Sequence, residues 1–150
     1  MEVAANVESE ENGPSETLTT RIGYLLKHVQ ARFQSIQQEE LTPLGLNGRL
    51  LAVLIEAAEH TPELQQSIGG RLGVDRTTMV ALIDSLEVAG FVERRADPND
   101  RRGRLVHVTD KGKRALSEGL EASAQVERTF LSSLAPTEQE TFRKMLAKLI

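Results

Sequence analysis

The short stretch Gly73-Val74-Asp75 constrains this chain more than any other feature of its sequence. It separates two segments whose apolar residues recur at steps of three and four, the spacing of a helix face. Before it, PELQQSIGGRLG sets Leu64, Ile68 and Leu72 on one side, with Thr61-Pro62 as the entry because proline suits a first helical turn. Gly69-Gly70 weakens this helix by propensity while permitting close backbone packing, and Gly73 terminates it. After it, DRTTMVALIDSLEVAG aligns Met79, Leu82, Ile83 and Leu86, with Asp75 as N-cap and Gly90 as terminator. Two helices joined this tightly make a helix-turn-helix.

The segment after Gly90 restricts the fold further. FVERR and RLVHV read as short strands around the eight-residue connection ADPNDRRG, too long for a two-residue hairpin turn. Val106 and Val108 share one face of the ribbon, Leu105 and His107 the other. Asp97-Pro98-Asn99-Asp100 supplies turn chemistry, so the loop projects as a flexible tip. A helix-turn-helix followed at once by a two-stranded ribbon is a winged-helix arrangement.

Helices flank this lobe on both sides. Residues 18–40 carry Ile22, Leu25, Leu26, Val29, Phe33 and Ile36 as an amphipathic stripe, ended by Thr42-Pro43. The segment LGLNGRLLAVLIEAAEH places Leu46, Leu50, Val53, Leu54 and Ala57 together. Thr109 or Asp110 caps a long helix bearing Leu116, Leu120, Val126, Phe130 and Leu131. Pro136 and Glu138 open a final helix with Phe142, Met145, Leu146 and Leu149. The expected fold is mainly α with a small two-stranded β-wing. Residues 1–17 read as an acidic, flexible leader, and residues 18–150 as a single domain whose winged lobe spans 44–112.

Charge is where function enters. The net charge is -4, yet residues 1–20 hold five glutamates and no Lys or Arg, so the remaining 130 sum to about +1. Residues 91–114 carry eight basic and four acidic side chains. Arg94, Arg95, Arg101, Arg102 and Arg104 crowd eleven positions, and like charges this close repel unless an anion relieves them. A recognition helix entering a major groove, with a basic loop reaching phosphates or the neighbouring minor groove, accounts for both features.

The absence of cysteine excludes disulfides and thiolate chemistry. The three histidines (His28, His60, His107) have no metal-ligand spacing, and no glycine-rich phosphate loop or nucleophile motif is present. No catalytic residue, metal or cofactor is therefore expected. No membrane-spanning run or secretory signal is read, and a cytoplasmic location is expected.

The segment DRTTMVALIDSLEVAGFVERRADPNDRRGRLVHVTDKGKRAL resembles the core of the MarR family of bacterial transcription regulators. The family's wing pattern, Asp-x-Arg and then a strand ending in Thr-x-x-Gly, falls on Asp100, Arg102, Thr109 and Gly112, and the resemblance covers residues 18–150. It implies a homodimer built through 18–40 and 113–150, reading a pseudo-palindrome in double-stranded DNA. A dimer seated on promoter DNA obstructs polymerase, so a repressor is expected, with an activator as the alternative. It implies that Arg102 enters a minor groove and that Asp100 orients it. Arg101 and Arg104 are expected on phosphates. Arg76 is expected at a guanine edge, Thr77 and Thr78 at phosphate or base, and Val80 and Ala81 at thymine methyls. Arg71 is a backbone-contact candidate, and a capping role for Thr78 competes with the DNA reading.

The resemblance also implies a small, often aromatic or phenolic effector. Tyr24, His28 and Arg32 lie at i, i+4 and i+8 and form a candidate ligand strip, although an exposed face or dimer contacts explain the same spacing. The alternative function is a winged-helix module for protein contacts, using the Leu105/His107 face and the acidic leader.

Overall fold

The computed structural model describes residues 13–150. The helices are α1 (Glu16–Thr19), α2 (Ile22–Leu41), α3 (Gly48–Glu59), α4 (Gln65–Leu72), α5 (Arg76–Val88), α6 (Asp110–Phe130) and α7 (Pro136–Ala147). The strands are β1 (Glu63–Leu64), β2 (Val92–Ala96) and β3 (Arg104–Val108). Most of the expected leader, residues 1–12, lies outside the described residues. Its last two positions, Glu16 and Thr17, lie in the short, exposed helix α1.

The core sits where α3, α4, α5 and the sheet meet. Leu54, Ile68, Met79, Ile83, Leu86 and Val106 are fully buried there. Burying side chains of this size contributes roughly 2 kcal/mol each. The inner face of α3 is wider than expected: Val53, Leu54 and Ala57 are buried as read, Leu51 joins them, and Leu50 is partly buried. Leu51 packs against Gly119 of α6, where a side chain would collide with it.

The sheet has three strands where the sequence suggested two. Its order is β1-β3-β2, all antiparallel, with Glu63 opposite Val106 and Leu64 opposite Leu105. The helix expected to begin at Pro62 therefore begins at Gln65. Glu63 and Leu64 satisfy their backbone groups against β3 instead, and Leu64 is exposed rather than inward. A two-residue strand has no periodicity of its own; only its partner reveals it. Leu105 and His107, expected to be an exposed face, are both partly buried.

The turn between α4 and α5 is as expected. Gly73 has φ +62°, a left-handed conformation that glycine adopts without a Cβ penalty. Asp75 caps α5, accepting from the Thr78 amide at 2.9 Å. Gly69 of the double glycine is buried against the Val74 carbonyl and Met79, whereas Gly70 faces open space.

Helices α2 and α6 pack along each other, with Phe33 edge-on to Phe130 at 5.2 Å. Beyond that contact the stripe on α2 is uncovered among the described residues: Ile22, Leu25, Leu26 and Val29 are exposed. Together with Phe142 and Leu146 they line an open apolar groove of about 680 Å3 between α2, α6 and α7. Among the described residues, no single helix is long and apolar enough to cross a membrane.

Candidate nucleic-acid interface

The clustered arginines divide into two kinds. Arg94 faces inward, its side chain only 18% exposed. Its guanidinium reaches Asp84 at 2.7 Å and Glu87 at 2.7 Å on α5, and donates to Gln65 on α4 at 3.1 Å. Its backbone amide donates to Glu87 as well, at 2.9 Å. This one side chain ties the recognition helix, α4 and the sheet together. Arg95 pairs with Glu93 on its own strand.

Arg101, Arg102 and Arg104 are different: all three are exposed, and none has a carboxylate partner among the described residues. Arg102 and Arg104 line a groove of about 420 Å3 with Arg76 of α5 and Gln65, Gln66 and Gly70 of α4. The fold thus brings together cations 26 and 28 positions apart in sequence around one concave surface. Thr77, Val80 and Ala81 are exposed on the same helix as Arg76. Met79 and Ile83 anchor the buried side of that helix.

Three of the expected DNA contacts have partners inside the chain. Arg71 donates to Glu56 at 2.6 Å and to both carboxylate oxygens of Glu63 at 2.5–2.6 Å, with its side chain still 35% exposed. The Arg71 hydrogen bonds hold the Glu63 carboxyl below its ordinary range, and the same bonds push the Arg71 pKa up. The residue fastens α3, β1 and α4 together. Thr78 is half-buried and gives its hydroxyl to Asp75 at 2.6 Å, so it completes the cap of α5. That hydroxyl, followed by the Thr78 amide, lowers the Asp75 pKa.

Asp100 forms no ion pair with the Arg102 guanidinium. Its carboxylate accepts from the Arg102 backbone amide at 2.9 Å, and its carbonyl accepts from Gly103 at 2.9 Å. Asn99 donates its amide to Asp97 at 2.8 Å. The two aspartates of the wing fold its turn and leave the arginines outside.

Arg94 was the residue hardest to place from sequence, though a signal existed. Strand alternation puts residue 94 on the same face as buried Val92, opposite Val106. An arginine there needs acids beneath it, and Asp84 and Glu87 lie at i and i+3 on α5.

The proposed ligand strip on α2 is split. Tyr24 and His28 stack with centroids 4.1 Å apart, while Arg32 lies over the Phe130 ring at 5.6 Å. Among the described residues, no group of three His, Cys, Asp or Glu side chains is placed to hold a metal ion.

Comparison with known proteins agrees with this geometry. The MarR family pattern matches residues 46–103, from just before α3 through the helix-turn-helix to the wing loop ahead of β3. The chain is 31% identical to the transcriptional repressor MprA of Escherichia coli K12 over 90% of its own length and 76% of MprA. A probable transcriptional regulator from Pseudomonas aeruginosa superposes with a TM-score of 0.80 at 32% identity, covering 89% of this chain and 99% of that one. The transcriptional repressor CouR, solved on a 23-mer DNA duplex, superposes with a TM-score of 0.84 at 27% identity, covering 93% and 99%. CouR from Rhodococcus jostii RHA1 has also been solved with p-coumaroyl-CoA, with a TM-score of 0.73 at 29% identity, covering 90% and 95%. The chain is a DNA-binding, non-enzymatic transcription regulator and belongs to the MarR family.

Proposed function

We propose that the protein is a cytoplasmic repressor that binds a pseudo-palindromic operator as a homodimer and is released by a small aromatic or phenolic ligand. The observation that carries this reading is the groove where Arg76 of the recognition helix meets Arg102 and Arg104 of the wing, which have no carboxylate partner among the described residues. In a two-fold dimer, half-sites would lie about 34 Å apart, one turn of DNA. Arg102 enters the minor groove while Arg101 and Arg104 bind phosphates. Arg76 reads a base edge, Thr77 supports it, and Val80 and Ala81 favour thymine methyls.

The uncovered apolar face of α2 and α7 supports the second copy. Ile22 on α2 is 75% exposed and Met145 on α7 60%, a hydrophobic surface that a lone chain rarely leaves open. Residues 18–40 and 113–150 then serve as the dimer region and 44–112 as the DNA-binding lobe. For the effector, the stacked Tyr24 and His28 offer an aromatic surface with an exposed imidazole. The p-coumaroyl-CoA complex of CouR supports an effector of this general kind.

Fluorescence anisotropy against the DNA upstream of the protein's own gene, with mixed-sequence duplex as control, tests the reading across a salt series. Selective binding that weakens steeply with salt is expected, with a log-log slope near -5 for about six neutralised phosphates. Salt-insensitive binding, or none to either DNA, would instead make the winged lobe a protein-contact module.

A further inference from the structure

We propose that Arg49 is a second phosphate clamp, placed on the side of the recognition helix away from the wing. The inference rests on the DNA-binding reading above and extends it to a residue outside the wing and α5. Arg49 is exposed and has no carboxylate partner among the described residues. It lines a groove of about 390 Å3 between α3 and the start of α5, together with Gly73, Asp75, Thr78 and Leu82.

Two features make a merely solvated side chain a poor account. Arg49 is the second residue of α3, in the turn where the helix dipole disfavours a cation. No carboxylate of the described residues lies at ion-pair distance from its guanidinium. The acid that shares its groove, Asp75, turns its carboxylate to the amide and hydroxyl of Thr78, at 2.9 and 2.6 Å, and not to Arg49. An anion from outside would relieve both the repulsion at the helix start and the missing partner.

The placement fits the shape of DNA. On α5, Asp75, Thr78 and Leu82 border the Arg49 groove, whereas Arg76 and Met79 border the wing groove. These rows lie about 100° apart around a helix of 3.6 residues per turn. A helix seated in a major groove about 12 Å wide has a phosphate row along each side. The wing arginines take one row, and Arg49 takes the other. Clamping both rows fixes the depth and tilt of α5, which a one-sided set of contacts leaves free.

The test is a salt titration by anisotropy on mixed-sequence duplex and on the upstream DNA, with wild type, Arg49→Ala, Arg49→Gln, Arg49→Lys and Arg102→Ala compared. Removing the charge should make the log-log slope shallower by about 0.9 for each protomer bound and weaken both DNAs by the same factor. Arg49→Lys should restore the slope. Arg49→Gln, which keeps the aliphatic stem, separates lost charge from lost packing, and thermal melting checks the fold. An unchanged slope in Arg49→Gln, while Arg102→Ala still weakens binding, overturns the clamp and leaves the regulator reading standing. Loss confined to the upstream DNA at constant slope also overturns it, because a phosphate contact carries no sequence preference. No salt-dependent binding by wild type would remove the DNA reading, and the clamp with it.

Discussion

The hydroxyl of Thr109 donates to the carbonyl of Gly90 at 2.6 Å, so the residue that starts α6 holds the residue that ends the recognition helix. The same oxygen accepts from the Gly112 amide at 2.9 Å, which caps α6. Lys111 adds a bond to the Ala89 carbonyl at 2.8 Å. A Cβ on Gly112 would stand 1.9 Å from the Phe91 carbonyl oxygen, so only glycine lets the helix come this close. The Thr-x-x-Gly pattern is therefore a joint between α5 and α6, the helix that packs along α2.

Breaking that joint should cost stability before it costs contacts to DNA. Thr109→Ser should be nearly neutral, Thr109→Val should cost about 1–2 kcal/mol, and Gly112→Ala about 3 kcal/mol, read from urea denaturation. Equal stability of Gly112→Ala and wild type would contradict this close packing.

Arg94 and Arg102 should separate cleanly. Arg102→Ala should weaken DNA binding by roughly 1–3 kcal/mol with an unchanged melting temperature. Arg94→Ala leaves Asp84, Glu87 and Gln65 without their shared partner, so its melting temperature should fall. Paired thermal melts and anisotropy titrations on the two variants distinguish anchoring from contact.

Arg71 should behave as an anchor too. Arg71→Ala frees Glu56 and Glu63, so the protein should melt at a lower temperature. Its salt slope for DNA should match wild type. A slope reduced by about one unit per protomer would return Arg71 to the phosphate-contact role.

The Asp75 cap predicts a pH dependence with a definite sign. Its pKa is held down in the folded state, first by the Thr78 hydroxyl and then by the Thr78 amide. A depressed folded pKa contributes stability that is fully present above the unfolded value, about 3.9, and is lost as pH falls through the folded one. The melting temperature gap between wild type and Asp75→Ala should hold steady from about pH 8 to about pH 5 and narrow below about pH 4. A gap that widens with acid would reverse the assignment.

The apolar groove makes a further prediction. Val29 is 41% exposed and lines the groove, so Val29→Asp disturbs no core contact in the single chain but would place a charge in the dimer face. Sedimentation velocity should show loss of the dimer, with weaker operator binding following from it. An unchanged sedimentation coefficient would place the second copy elsewhere.

Local rules on the sequence determined a good deal. Periodicity located every long helix, because a one-sided apolar stripe has to be buried somewhere. Glycine and aspartate marked the turn at residues 73–75, since a left-handed residue and an N-cap need those side chains. The same rules could not find β1, whose two residues become a strand only when β3 lies beside them.

Charge was legible as a local cluster and less so as individual roles. Five arginines fall within eleven positions, and strand alternation beside Val92 marks only Arg94 apart, because an arginine's role depends on which acids the fold sets within reach. Tertiary structure decided that Arg94 meets Asp84 and Glu87, that Arg71 meets Glu56 and Glu63, and that Arg102 and Arg104 stay open beside Arg76. Helix and turn signals are short-range and survive in the sequence. An ion pair such as Arg71 with Glu56, 15 positions apart, depends on a distance that only packing sets.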